Sequence, residues 1–145
     1  MMTFKKKVNY KNIFFLGAHQ NFDELIEINK SFGLRTVIVT TSDQALENKL
    51  DQKKINIFDH LDSKFIKFLK KNGKIEESIF ISLGARWIFS RELIHFFKEN
   101  IFNFHRSRLP FDAGGGGFSW RIMNNDRIDN QLVHKITDKI DEGPI

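Results

Sequence analysis

The sequence predicts an α/β fold, one domain built on a doubly wound, mostly parallel sheet. Three observations carry that expectation. Short runs of β-branched and aromatic residues recur along the chain, and segments with helical apolar spacing separate them. The first strand–helix–strand alternation closes within about 30 residues, the length of a βαβ unit. The 145 residues, 41% of them hydrophobic, suit a single domain. A chain of that size buries roughly 70% of its unfolded surface.

Each element has its own signature. Asn12–Gly17 (NIFFLG) is a β-prone run between a lysine and a glycine, and it predicts a buried strand. Gln20–Phe32 places Phe22, Leu25, Ile26, Ile28 and Phe32 mostly at helical spacing, with Gly33 as a stop. Thr36–Thr41 (TVIVTT) predicts a second strand, and a short one follows near Ile55–Phe58. Asp62–Lys71 predicts a helix with Phe65, Ile66, Phe68 and Leu69 on its apolar side and Gly73 after it. Ser78–Leu83 (SIFISL) predicts a strand, Ser90–Lys98 a helix, and Ile101–Ser107 a further strand. Pro110–Gly117 is a loop by composition, Phe118–Asn124 is helical, and Gln131–Thr137 is the last strand. The expected organisation is a basic tail at 1–11 and one domain over 12–145. A closing strand and helix, usual in such domains, are expected to lie beyond Ile145.

Composition narrows the function classes. No cysteine is present, so disulfides, thiolate metal sites and cysteine nucleophiles are excluded. Apolar runs such as Ile79–Leu83 are far shorter than the ~20 residues of a membrane helix, so no membrane partner is expected. Lys5, Lys6 and Lys7 are followed by no apolar core of a secretory signal, which makes the cytoplasm the expected location. The formal net charge is +5, but Lys5, Lys6, Lys7 and Lys11 supply most of the excess. Charge alone therefore gives little ground for a nucleic-acid partner.

In open α/β sheets, ligands collect at the carboxyl ends of the strands. The richest such end is Asn103-Phe104-His105-Arg106-Ser107. Alternation puts Asn103, His105 and Ser107 on one face and Phe102 and Phe104 on the other, where core packing is the expected role. Thr137–Gly143 forms a second polar cluster with Asp138, Asp141 and Glu142. The glycine run Gly114–Gly117 offers a phosphate cradle at a helix start, yet it lacks the Walker lysine and the G-x-G-x-x-G placement. His19 follows the first strand, whereas His60 and His95 have no motif around them. His105, His134 and Asp141 can be drawn as a metal triad, but no H-x-H or H-E-x-x-H spacing supports it, and no metal is expected.

These residues carry a resemblance. Asn103-x-His105-x-Ser107-x-Leu109-Pro110-x-x-x-Gly114 resembles the N-x-H-x-S-L-L-P-x-x-x-G segment of the folate-dependent formyltransferases. That family includes methionyl-tRNA, glycinamide ribonucleotide and sugar N-formyltransferases. Ile140-Asp141-Glu142-Gly143-Pro144-Ile145 resembles its D-x-G segment, and the separation of His105 from Asp141 is the one the family shows. Gly84-Ala85-Arg86-Trp87-Ile88-Phe89-Ser90 resembles the segment lining the pterin pocket. The likeness covers Ser78 to Ile145 well, and the first half agrees mainly in its α/β pattern.

The resemblance implies a Rossmann-like three-layer formyltransferase domain that takes its formyl group from 10-formyltetrahydrofolate. It implies Asn103, His105 and Asp141 as the catalytic set. Trp87, Ile88, Phe89 and the turn Thr137, Asp138, Lys139 and Ile140 would hold the folate. Ser107, Gly114 and Gly115 would face the acceptor. An amine attacking a formyl carbon puts negative charge on the carbonyl oxygen, which Asn103 and a protonated His105 can both stabilise. Imidazole titrates near neutrality and can relay the amine's proton. Asp141 either holds His105 and stabilises its charged form or accepts the proton through a water.

The acceptor side departs from the family. Arg108 stands at the first leucine position, Ala113 precedes the loop glycine, and the loop runs Gly114-Gly115-Gly116-Gly117-Phe118-Ser119-Trp120 where methionyl-tRNA enzymes read G-A-A-P. A small primary amine, such as an amino sugar on a nucleotide, is the expected acceptor, with tRNA and hydrolysis of formyltetrahydrofolate as alternatives. From another class, the rival is a non-catalytic α/β module that binds a nucleotide or a partner protein. A homo-oligomer is left open.

Overall fold

The computed structural model describes residues 9–19, 21–111, 113–114, 117–128 and 130–145, with Phe118 described in its backbone only. Most of the expected basic tail, and Gln20 at the expected helix start, lie outside the described residues. Six strands form one sheet: β1 (Asn12–Gly17), β2 (Arg35–Thr40), β3 (Ile55–Ile57), β4 (Ser78–Leu83), β5 (Ile101–His105) and β6 (Leu132–Lys135). Their spatial order is β3-β2-β1-β4-β5-β6. β1 to β5 run parallel, and β6 alone is antiparallel, placed against β5. This is the expected doubly wound sheet, and its order reverses between β1 and β4.

The helices are α1 (Phe22–Ser31), α2 (Ser42–Glu47), α3 (Ser63–Asn72), α4 (Arg91–Phe96) and α5 (Gly117–Met123). They sit between strands because the apolar spacing changes from alternate residues or unbroken runs to every third or fourth residue. Their ends are set by polar caps. The Asp62 carboxylate accepts from the backbone N–H groups of Lys64 and Phe65 at 2.9 and 3.1 Å. Those bonds, the Phe65 one first, hold its carboxyl below the usual range. Ser90 caps α4 by accepting from Leu93 N–H at 3.3 Å. α2 was not expected. Its signal is a capping box, Thr41-x-x-Gln44, in which Thr41 accepts from the Gln44 N–H.

Both faces of the sheet are packed, which makes three layers. On one face, Phe14, Leu16, Val37, Val39, Phe80 and Ile101 meet Phe65 and Leu69 of α3, Leu93 and Ile94 of α4, and Phe97. On the other, Ile13, Phe15 and Ile38 meet Phe22, Leu25 and Ile26 of α1. Phe80 lies between two rings, with centroids 4.9 Å from Phe14 and 4.2 Å from Phe97. The core packing expected of Phe104 is not found, because it is 43% exposed. Phe102 is half-buried. These two side chains share the α1 face, but α1 packs under β1 and β2 rather than β5.

The carboxyl edge is held tight by Gly17. A side chain there would put its Cβ 2.2 Å from the Leu83 carbonyl oxygen, and φ is +127°. Only glycine lets β1 and β4 end side by side in this way. Phe80→Ala is expected to destabilise the domain by about 3–5 kcal/mol, the usual range for a buried phenylalanine. Phe80→Leu should cost clearly less. Urea denaturation checks both, and an alanine variant within about 1 kcal/mol of the parent would contradict the packing described.

Candidate functional site

The sheet order places a crevice where β1 and β4 part, at their carboxyl ends. A cavity of about 760 Å³ opens there. Its wall takes Ala18 and His19 after β1, residues 82–89 from the end of β4, residues 103–106 from β5, and 136–141 beyond β6. Apolar groups (Leu83, Trp87, Ile88, Phe89, Ile140) and cations (Arg106, Lys139) share it. Such a mixture suits a flat ring system carrying an anionic extension.

The segment after β4 is not helical, although Ile88 and Phe89 are equally readable as a helix start. Three contacts fix its course. Gln44 of α2, itself buried, donates Nε2–H to the Gly84 carbonyl at 2.8 Å. The Arg86 guanidinium pairs with Asp43 and, at 2.6 Å, with Glu47. Trp87 donates its indole N–H to the Asp59 carbonyl at 3.4 Å. The Thr41 hydroxyl, and less strongly Arg86, hold the Asp43 carboxyl below its ordinary value. Trp87 and Phe89 lean on the core, while Ile88 is 84% exposed.

The polar cluster sits at the end of β5. Asn103 Nδ2 lies 3.1 Å from Nδ1 of His105 and 3.3 Å from Nε2 of His134. Asp141 Oδ1 is 3.4 Å from His105 Nδ1 and 3.5 Å from His134 Nε2. The outer carboxylate oxygen of Asp141 accepts from the Gly114 N–H at 2.8 Å. The His134 Nδ1 lies 3.1 Å from the Lys135 carbonyl, which only accepts, so this ring nitrogen carries the proton. Among the described residues, Nε2 of His105 has no partner, and the ring stands in the cavity wall.

Strand pairing explains how residues so far apart in sequence meet. Antiparallel β6 sets His134 directly opposite Asn103. Residues 136–144 then form a loop whose two ends meet at β6. Ile136 N–H bonds the Ile101 carbonyl at 3.0 Å, and Lys135 N–H bonds the Pro144 carbonyl at 2.9 Å. Gly143 passes so close that a Cβ there would fall 1.6 Å from the Lys135 carbonyl oxygen. Asp141 takes φ +55°, a left-handed conformation that aspartate tolerates better than most residues.

Of the residues singled out from the sequence, Asn103, His105 and Asp141 come together. Trp87, Ile88, Phe89, Thr137, Asp138, Lys139 and Ile140 all line the same cavity. Gly114 lines it too, through its backbone. Ser107 is not in the wall. It is 1% exposed, and its hydroxyl has no hydrogen-bond partner among the described residues. Gly115 lies outside the described residues. His19 is in the wall, and its Nδ1 accepts from Asn21 N–H at 3.1 Å. Sequence reasoning missed His134 as a neighbour of Asn103, because pairing direction is invisible in a single strand. Gln44 was missed with its helix. The ring nitrogens of His105 and His134 and a carboxylate oxygen of Asp141 lie within 4.8 Å of one another, although their linear spacing follows no metal motif. Among the described residues no helix is long and apolar enough to cross a membrane.

Comparison with known proteins points in one direction. No family model matches the chain. It is 28% identical over 126 residues to the bifunctional polymyxin resistance protein ArnA of Wigglesworthia glossinidia brevipalpis, covering 81% of this chain and 19% of that protein. It is 30% identical over 94 residues to a methionyl-tRNA formyltransferase of Mycoplasma genitalium, covering 65% of this chain and 30% of that one. The chain thus spans about a fifth to a third of the length of these curated relatives. Among solved structures, phosphoribosylglycinamide formyltransferase from Brucella melitensis superposes with a TM-score of 0.68 at 21% identity, covering 95% of this chain and 77% of that one. That last likeness is one of fold.

The loop over 136–144 gives a direct test of how Asp141 is placed. Gly143→Ala is expected to push the loop off Lys135 and separate Asp141 from both histidines. The imidazole resonances of His105 and His134 should then shift together in NMR spectra while those of His60 and His95 stay put. Unchanged His105 and His134 resonances would contradict the positioning described.

Proposed function

We propose that the chain is a member of the folate-dependent formyltransferase family and that it moves a formyl group from 10-formyltetrahydrofolate to a primary amine. The observation that carries the proposal is the meeting of Asn103, His105 and Asp141 in the wall of one cavity, opposite an apolar strip. In this reading Trp87, Ile88 and Phe89 receive the pterin, and Thr137–Ile140 close over it. Arg106 and Lys139 suit the anionic part of the folate.

The chemistry follows from the donors present. The amine nitrogen bonds to the formyl carbon, and charge develops on the formyl oxygen. His105 turns Nε2 toward the cavity, because Nδ1 is engaged by Asn103 and Asp141. An Nε2–H there donates to that oxygen. Asn103 supplies a second N–H once substrate displaces one of its imidazole contacts. As the carbon–nitrogen bond to the folate breaks, His105 hands the amine's proton to the departing nitrogen. Asp141 lies beside Nδ1 and stabilises the ring while it carries both protons. Its side chain is only 11% exposed, which limits screening of that attraction.

The acceptor is proposed to be a small amine, such as an amino sugar on a nucleotide. The support is the loop Gly114–Trp120, which departs from the sequence of the methionyl-tRNA enzymes. His105→Ala is expected to lower formyl transfer by about 10²–10³ in kcat, the usual cost of one oxyanion donor. The variant should melt cooperatively, since His105 stands at a strand end and outside the core. Turnover assays against nucleotide-linked amino sugars and methionyl-tRNA read both the loss and the acceptor. Undiminished turnover in the variant would overturn the catalytic assignment.

A further inference from the structure

We propose that His105, His134 and Asp141 form a binding site for a divalent transition metal of the zinc class, and that its occupancy switches formyl transfer off. Metal binding stands on the geometry alone, whereas the inhibition rests on the function proposed above.

Tetrahedral zinc with ligand bonds of 2.0–2.1 Å needs ligand atoms about 3.3–3.4 Å apart. The Asp141 Oδ1 oxygen lies 3.4 Å from His105 Nδ1 and 3.5 Å from His134 Nε2. The remaining pair, His105 with His134, lies within 4.8 Å, wider than the tetrahedral spacing, so the less buried His105 ring closes toward His134 as metal binds. Two imidazoles and one carboxylate are ligands that zinc accepts in sites with an open position. The cavity beside His105 and Asp141 supplies that open side.

The outer contacts match as well. Metal-binding histidines usually donate their other ring N–H to a carbonyl or carboxylate, which fixes the tautomer. The Lys135 carbonyl takes the Nδ1–H of His134 at 3.1 Å and leaves Nε2 with its lone pair facing Asp141. Ligating carboxylates are likewise hydrogen-bonded at their free oxygen. Here the Gly114 N–H holds Oδ2 at 2.8 Å and leaves Oδ1 for the cluster. His134 is 2% exposed, so its ring is locked before any ligand arrives.

Asn103 completes the argument. Its amide nitrogen sits 3.1 and 3.3 Å from the same two ring nitrogens, a place where an N–H would oppose a cation. A half-turn of the carboxamide exchanges nitrogen for oxygen at nearly constant shape and presents an acceptor to the metal. The metal-bound state therefore removes the Asn103 donor and the free Nδ1 that lets the His105 ring take up a second proton. His105 Nδ1 becomes a ligand, and Asn103 turns its N–H groups away. Asp141, bound to the metal, no longer stabilises a doubly protonated His105.

The test is titration of the purified chain with cobalt(II), followed by its visible absorption, and with zinc by calorimetry. One equivalent should bind with the strong d–d bands of a four- or five-coordinate site. Asp141→Asn and His134→Gln should each weaken binding more than ~100-fold, beyond the 10–100-fold that outer partners cost. A triple variant of the exposed His19, His60 and His95 should bind as the parent does. Should His134→Gln fail to fold, Asp141→Asn carries the comparison. Zinc should also lower formyl transfer in proportion to occupancy, and chelator should restore it. Absence of stoichiometric cobalt binding overturns the proposal, as does binding that survives Asp141→Asn, even if formyl transfer is observed. Cobalt binding lost in that variant, in a chain without formyl transfer, upholds the metal site and defeats the enzymatic reading instead.

Discussion

The site depends on one pairing, the antiparallel docking of β6 on β5 with His134 opposite Asn103. Parallel strands alone would leave β5 as an edge, with Asn103 and His105 facing solvent. Adding β6 covers that edge and brings a second imidazole to the same face. It also fixes Lys135, on which both ends of the loop over 136–144 close. Asp141 reaches the cluster only because this loop is pinned, and Gly143 lets it approach the backbone of Lys135. Few backbone hydrogen bonds and one glycine thus hold three groups distant in sequence within reach of each other.

The rest of the fold keeps that edge rigid. The rings of Phe14, Phe80 and Phe97 tie β1 and β4 to the end of α4 in one layer contact. The bulk of burial comes from apolar area, which is non-directional, while direction comes from the polar ties above it. On the cavity's other side α2 acts as a buttress. Gln44 and the Asp43–Arg86–Glu47 group hold the segment after β4 open as an extended strip. A helix there would have turned Ile88 away or capped it. Extended chain leaves the side chain exposed to the cavity, where an apolar ligand can cover it.

Much of this was legible in the sequence, for identifiable reasons. β1 and β4 begin and end where expected, because the apolar runs Ile13–Leu16 and Ile79–Ile81, flanked by polar or glycine residues, leave little choice of register. Helix ends moved inward to α1's Phe22 and α4's Phe96, as frayed or capping residues do. α2 was overlooked because its six residues are too few to show periodicity, and only the Thr41–Gln44 capping box announced it. Phe104 was misplaced because alternation tells which face a residue occupies and not whether a helix covers that face. The neighbours of Asn103 divide in the same way. His105 is two residues along one strand and was readable, whereas His134 depends on strand direction and was not. Ser107 follows the alternation of β5, but the strand ends at His105 and the chain turns its hydroxyl inward.

The crevice between β1, β4 and β5 is proposed to be a formyl-folate site. The most direct measurement is a thermal melt of the chain with and without a non-hydrolysable 10-formyltetrahydrofolate analogue. A ligand that binds only the native state adds about 2.7 kcal/mol at a hundredfold excess over its dissociation constant. A formyl-folate site there should give a cooperative transition that moves upward with the analogue and stays put with a nucleotide of equal charge. A transition unmoved by the analogue at saturating concentration would contradict it.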